Sequence, residues 1–223
     1  MVYRYKPEDG SLLFKFNAEG SRIANGKVYD LSRWGNHATI INGVSLKPSP
    51  SGKPMLYFDG VNQCIRVPGN SKLDSVNFTI SVWLNNLDSI ATQGGIIGTT
   101  GFSSFRGIGV YWDGNDNISM WAGDGFTREG LALCPRKPGF HHYIFSKNGR
   151  VISTMVDGIP RNPLSFPTIS APERTGFDWY IGQSISASYN FHGPVNDVRF
   201  YNRPLSRSEG SRIYNETRRY YGK

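Results

Sequence analysis

The sequence predicts an all-β fold, a two-sheet antiparallel sandwich with one short C-terminal helix. Three observations predict it. Short runs of β-branched and aromatic residues recur, many alternating in polarity with period two, the signature of half-buried antiparallel strands. Clusters of Gly, Pro, Asn and Asp separate the runs, and the 223 residues include 26 Gly and 13 Pro. No helical stripe interrupts the runs until the last twenty residues. A chain of this length buries roughly 70% of its unfolded surface, enough to fold without a metal or disulfide. Four methionines and abundant Gly and Tyr exclude a helical bundle, and no apolar stretch is long enough to be a membrane-spanning helix.

In chain order the predicted strands begin with Leu12–Phe16, Met55–Phe58, Ile65–Val67 and Phe78–Leu84. In the last of these, Phe78, Ile80, Val82 and Leu84 share one face, and Thr79, Ser81, Trp83 and Asn85 share the other. Gly95–Gly98, Ile108–Trp112 and Ile118–Trp121 follow, then Tyr143–Ser146, Val151–Val156, Tyr180–Gly182 and Val195–Phe200. Asp113-Gly114-Asn115-Asp116-Asn117, Lys147-Asn148-Gly149-Arg150 and Asp157-Gly158 supply turn chemistry that suits hairpins. The helix starts at Ser206, where Ser206-Arg207-Ser208-Glu209 spells a capping box and Ile213, Tyr214 and Thr217 fall on one stripe. Gly210 weakens that helix by about 1 kcal/mol relative to Ala, so packing must hold it down. No repeat or linker divides the chain, which reads as one domain over residues 1–223. The expected division is an N-terminal arm at residues 1–10 and, at 206–223, the helix with a basic aromatic tail.

Charge concentrates at the end. From Arg199 onward there are seven basic residues against Glu209 and Glu216, in a chain of formal net charge +8. Arg218, Arg219, Tyr220 and Tyr221 are therefore the expected partner-docking residues, since Arg and Tyr are enriched where protein surfaces meet. Nucleic acid is disfavoured because no base-reading module accompanies the charge. Cys64 and Cys134 have no CxxC or Cys/His neighbours and read as reduced, buried thiols. The opening Met1–Asp9 has no apolar run, so the expectation is assembly in a cytoplasm without a secretory leader.

The order of these pieces resembles the laminin-G-like, concanavalin A-like jelly-roll family. The resemblance is carried by Leu12–Phe16, Val28–Ser32 with Gly35-Asn36-His37, Met55–Gly60 leading to Ile65–Pro68, and Phe78–Trp83. His141-His142-Tyr143 with Met155–Gly158, and Phe191–Ser206, complete it. It implies a jelly-roll sandwich, and it spans about residues 11 to 217. It does not by itself imply one function, since this fold hosts lectins, hydrolases, receptors and structural modules.

Hydrolysis is disfavoured. Glycoside cleavage needs an acid and a second carboxylate a few ångströms apart, and the Glu-x-Asp-x-x-Glu pattern of the fold's β-glucan hydrolases is missing. None of the four histidines stands in a recognisable nucleophile motif, and no catalytic residue is assigned. No cofactor is required. A structural calcium is what many relatives hold, and the resemblance offers Asp30, Asp59 and Asp197 as its ligands, although carboxylates at such positions also cap turns. Asp113-x-Asn115-x-Asn117 looks like the start of a calcium loop, but Ile118 stands where that loop needs glycine, and a hairpin turn is expected.

For a sugar, aromatic faces beside polar groups are offered by Trp34, Tyr111, Trp112, Asp113, Asn115 and Trp121. Large aromatics also fill cores, so each competes with a packing role. The expected function is a non-enzymatic structural or adhesion protein on the exterior of a larger assembly. A virus particle built in a host cytoplasm is the favoured setting, with self or capsid-like subunits as partners and a glycan as a further ligand. The alternatives are a secreted, extracellular carbohydrate-binding module and, more distantly, a glycoside hydrolase of the same fold.

Overall fold

A computed structural model describes residues 10–85, 87, 93–99, 105–173, 176–184 and 186–223. In chain order the strands are β1 (Leu12–Phe16), β2 (Ile23–Ala24), β3 (Lys27–Val28), β4 (Ala38–Ile41), β5 (Ser45–Pro48), β6 (Pro54–Asp59) and β7 (Cys64–Val67). Next come β8 (Phe78–Leu84), β9 (Gly94–Thr99), β10 (Arg106–Trp112), β11 (Asn117–Asp124), β12 (Arg128–Pro135), β13 (His141–Asn148) and β14 (Val151–Val156). The last are β15 (Ile159–Pro160), β16 (Leu164–Ser165), β17 (Trp179–Ile181), β18 (Gln183–Ser184), β19 (Ser186–Asn190) and β20 (His192–Tyr201), before helix α1 (Arg207–Thr217).

One sheet runs β15-β14-β13-β8-β20-β6-β5, with β1 also on β20 and β16 also on β14. The other runs β12-β11-β10-β9-β17-β7-β4-β3-β2. This is the predicted antiparallel sandwich. The core lies between the layers, where Phe78, Ile80, Val82 and Leu84 of β8 face Ile108, Val110 and Trp112 of β10 and Ile118 and Met120 of β11 in one apolar cluster. Phe200 joins the layers: its ring lies 5.3 Å from Phe14, 5.7 Å from Phe78 and 4.6 Å from Trp179 of the opposite sheet.

The turns follow their sequence. Asp157 and Gly158 have φ of 52° and 76°, the left-handed pair that a two-residue hairpin needs between Val156 and Ile159. The helix begins as predicted, with the Ser206 side chain accepting from the Glu209 N–H and the Glu209 carboxylate accepting from the Ser206 N–H at 2.8 Å. The Arg203 guanidinium, bonded to that carboxylate, holds Glu209 down at about 2, so the cap stays ionised across the neutral range. Gly210 meets the sheet where a Cβ would come 2.6 Å from Met155 Sδ. The residue that costs helix propensity therefore permits the close approach that holds the helix down.

One expectation changes here. The alternation in β8 implied a half-buried strand, yet Thr79, Ser81 and Trp83 are all buried. The reason is the C-terminal segment, which lies across this outer face. Trp83 Nε1 donates to Thr217 Oγ1 at 2.8 Å, and the Tyr221 ring stacks on Trp83 with centroids 4.1 Å apart.

Candidate functional site

The outer face of the second sheet carries polar and aromatic side chains that lie outside the inter-sheet core. Alternation in β10 sends Ile108, Val110 and Trp112 inward and Tyr111 outward. In β11 the same rule sends Ser119 and Trp121 outward, opposite Tyr111 and Gly109 respectively. The four-residue turn between these strands is organised by Asp113. Its Oδ1 accepts from the N–H groups of Asn115 at 2.7 Å and Asn117 at 3.2 Å, and its Oδ2 accepts from Ser119 Oγ at 2.8 Å.

Burial raises the Tyr111 pKa, the negative charge of Asp113 raises it further, and Arg128 pulls it back; Tyr189 is close enough to contribute. The phenol is thus a neutral O–H beside a carboxylate and a guanidinium. Farther along the same face, Tyr180 of β17 stands opposite Arg66 of β7, and Arg66 reaches Asp178 at 3.6 Å. Burial raises the Tyr180 pKa as well. Phenol hydroxyls, guanidinium donors and half-buried rings can hydrogen-bond and stack on a polyhydroxylated ligand.

The structure sorts the predicted ligand residues. Tyr111, Asp113 and Asn115 share one hairpin, and Tyr111 keeps a half-buried ring on the outer face. Trp112 does not belong with them: it is 0% exposed, points into the core and lies under the Arg136 guanidinium at 4.6 Å. Trp121 is on the outer face but only 2% exposed, so its ring offers no open stacking surface. Trp34 precedes β4, which β9, β17 and β7 separate from β10 in the sheet. There its indole donates to the Gly10 carbonyl, and Lys72 Nζ sits 3.9 Å over the ring. Arg66, Arg128, Tyr180 and Tyr189 were missed. For Tyr180 the outward position between Trp179 and Ile181 was readable; the others required knowing which strands pair.

The three aspartates offered for calcium do not converge, and no group of three or more His, Cys, Asp or Glu able to hold a metal occurs among the described residues. Asp30 accepts from the N–H groups of Lys15, Ser32 and Asn36. Asp59 caps its turn through Val61 and Asn62. Asp197, at φ 46° in the bulge of β20, binds the Arg199 guanidinium at 3.0 and 2.9 Å in a buried pair. The described partners of these carboxylates are backbone N–H groups, the Ser32 hydroxyl and the Arg199 guanidinium.

The tail residues offered for partner docking lie partly against their own chain. Tyr221 is buried on Trp83, and the Tyr220 carbonyl accepts from Ser51 Oγ at 2.8 Å. Arg219 lies over the Tyr220 ring, and Arg218 and Arg219 alone of the four stay exposed. The segment docks on its own chain because its aromatic side chains complete the column of Trp83, His142 and Tyr214.

Most of the other described acids, and the His141-His142 pair, have partners within the fold. Glu129 accepts from Thr168 and Ile169, Glu173 pairs with Arg106, Glu216 with Arg212, Asp116 with Arg136 and Asp157 with His141. His142 Nε2 sits 2.8 Å from Ser81 Oγ, a serine–histidine contact that the sequence did not reveal. Both are buried beneath α1, and the histidine is pushed down to about 3 by burial, so this pair is no accessible nucleophile and base.

Comparison with known proteins agrees with the fold. No curated protein sequence matches the chain. The botulinum neurotoxin serotype G binding domain superposes with a TM-score of 0.73 at 13% identity, covering 92% of this chain and 51% of that one. A botulinum neurotoxin type C structure, described by its dependence on two ganglioside molecules for cell entry, gives 0.69 at 12% identity, with 92% and 51% covered. The chain thus spans about half the length of these toxin domains. Domain 4 of an extracellular arabinanase from Geobacillus stearothermophilus, solved with arabinotriose, gives 0.71 at 15% identity and covers 92% of this chain and 98% of that one. These identities establish the shared fold alone. A laminin-G family model described as the concanavalin A-like lectin/glucanases superfamily matches residues 58–209, more than half the sequence, and the chain belongs to that superfamily.

Proposed function

We propose that the chain is a non-enzymatic glycan-recognition module serving adhesion on the exterior of a larger assembly, such as a virus particle. The observation that carries the glycan reading is the outer face of the second sheet, where Tyr111, Asp113, Arg128 and Tyr189 share one electrostatic neighbourhood and Tyr180 and Arg66 extend the row. The non-enzymatic reading is supported by the carboxylates: apart from Glu19, every described one has a backbone N–H group or a cation as partner. A solved structure of matching length, an arabinanase domain with arabinotriose, supports the ligand class. The two free, buried cysteines favour assembly in a reducing compartment over a secreted module.

A glycan array probed with the protein and with Tyr111→Ala and Tyr180→Ala variants tests the reading. Binding that weakens about tenfold in either variant, the loss of one or two good polar contacts, is expected. An array with no signal, or variants that bind unchanged, overturns it. Release of reducing sugar from any array hit would overturn the non-enzymatic part. A monomer in size-exclusion chromatography with no affinity for itself or for particle proteins would remove the assembly context.

A further inference from the structure

A cavity of mixed polar and apolar lining lies away from this face, on the outer side of the first sheet beside the start of α1. It has a volume of ≈ 220 Å³, and its lining includes Ser146, Ser153, Arg161, Ser206 and Arg207. The fold creates it. β14 pairs with β15 through Met155 and Val156 and with β16 through Val151 and Ile152, so Ser153 and Thr154 between them have no strand partner on that edge. The chain bulges outward over residues 161–163, and the Arg161 N–H returns to the Thr154 carbonyl at 2.8 Å. The bulge, the hydroxyl row and the first residues of the helix then enclose the space.

The charge inside is one-sided. Arg161 and Arg207 come from separate segments, and among the described residues neither guanidinium has a hydrogen-bond or ion-pair partner. No carboxylate lines the cavity. The nearest described acid in sequence, Glu209, is bound by the Arg203 guanidinium at 2.6 and 3.1 Å, which neutralises it. The helix terminus is not itself the receptor, because Ser206 Oγ and Glu209 already close the capping box. Ser146 Oγ is held by Thr79 Oγ1 at 2.8 Å, whereas the Ser153 hydroxyl has no described partner and can donate.

We propose that this cavity binds a sulfate- or phosphate-type oxyanion, held by the forked guanidiniums of Arg161 and Arg207 with Ser153 as a neutral donor. Guanidinium donors match the oxygens of such a group in pairs, and their hydrogen bonds to it are charge-assisted. A water takes about 30 Å³ of liquid, so the cavity admits one such group and part of whatever carries it. The shared chemistry has two sources, a free inorganic anion or an ester group on an acidic saccharide. The site is independent of the Tyr111 face and stands or falls separately from the glycan reading.

Titration of the full chain, followed by amide chemical-shift changes, tests the proposal with four probes: inorganic sulfate, inorganic phosphate, a sulfated oligosaccharide and its unsulfated counterpart. Saturable shifts at Ser153, Arg161 and Arg207 are expected with the sulfated compounds or phosphate, weakening as NaCl rises. The Arg161→Ala/Arg207→Ala variant should lose affinity about tenfold or more, and both side chains are exposed, so it should fold. Tighter binding of the sulfated oligosaccharide than of sulfate identifies a saccharide source; equal binding identifies the free anion. No saturable shift with any probe, or undiminished binding by the double variant, overturns the proposal.

Discussion

His142 shows how a single residue ties stability to pH. It is sealed beneath α1 with Nε2 on Ser81, Nδ1 without a hydrogen-bond partner among the described residues, and its ring stacked on Trp83. Burial comes first among the causes that lower its pKa from 6.5 to about 3; Arg199 adds to the lowering, while the charges of Asp197 and Asp157 oppose it. The unfolded chain therefore binds a proton below about 6.5 that the folded chain refuses, and stability falls as the pH drops. The slope should approach about 1.4 kcal/mol per pH unit once the unfolded histidine is charged. Urea unfolding between pH 7 and 4 measures it. His142→Gln should flatten that limb, and an unchanged slope would show that another group controls it. Asp197, lowered in the fold chiefly by Arg199 against the opposing cost of burial, adds its own loss only at more acidic pH. The thiols give a second expectation at this scale. Burial lifts Cys64 and takes Cys134 to about 11, so neither is a thiolate at neutral pH. The native protein should resist a thiol reagent that labels both once urea is added; prompt labelling without urea would contradict the burial.

Among the elements, α1 is where local preference and packing oppose each other. Gly210→Ala gains up to about 1 kcal/mol of helix propensity. It also drives a methyl against Met155 Sδ and Ile144 Cδ1, an overpacking that typically costs about 1–3 kcal/mol. Net destabilisation is expected. Combined with Met155→Ala, the glycine substitution should cost less than it does alone, a coupling that a double-mutant cycle in urea reads. Strict additivity would mean that the helix does not press on the sheet there. The same element shows what the sequence could and could not disclose. Its start was legible because a capping box is a local code of four residues. The core strands were legible because Phe78 to Leu84 alternates over its full length. β5, whose Ser45–Pro48 side chains are all exposed, and β12, with Gly130 and Ala132 in a mixed pattern, escaped because edge strands carry little periodic signal. That Thr79, Ser81 and Trp83 would be buried was illegible, since the covering comes from residues more than a hundred positions later. The site divides the same way: Tyr111, Asp113 and Asn115 are neighbours in sequence, whereas Arg66 and Tyr180 meet only through the pairing of β7 with β17.

For the whole molecule, the decisive fact is where the last long strand lies. β20 is inserted in the middle of the first sheet, between β8 on one side and β6 and β1 on the other. Phe200 on that strand brings Phe14, from the beginning of the chain, against Trp179 of the second layer. Pairings this distant in sequence are slow to form, because loop closure precedes the contacts that reward it. A growing polypeptide on the ribosome would hold β8 and β6 with a vacant slot between them until β20 emerges. Their unpaired edges would meanwhile invite association with other nascent copies. Stalled chains of increasing length, treated with protease, should stay sensitive until β20 has left the exit tunnel and then gain protection in one step. Biogenesis of this sandwich would accordingly be all-or-nothing, with a quality checkpoint set by the emergence of β20.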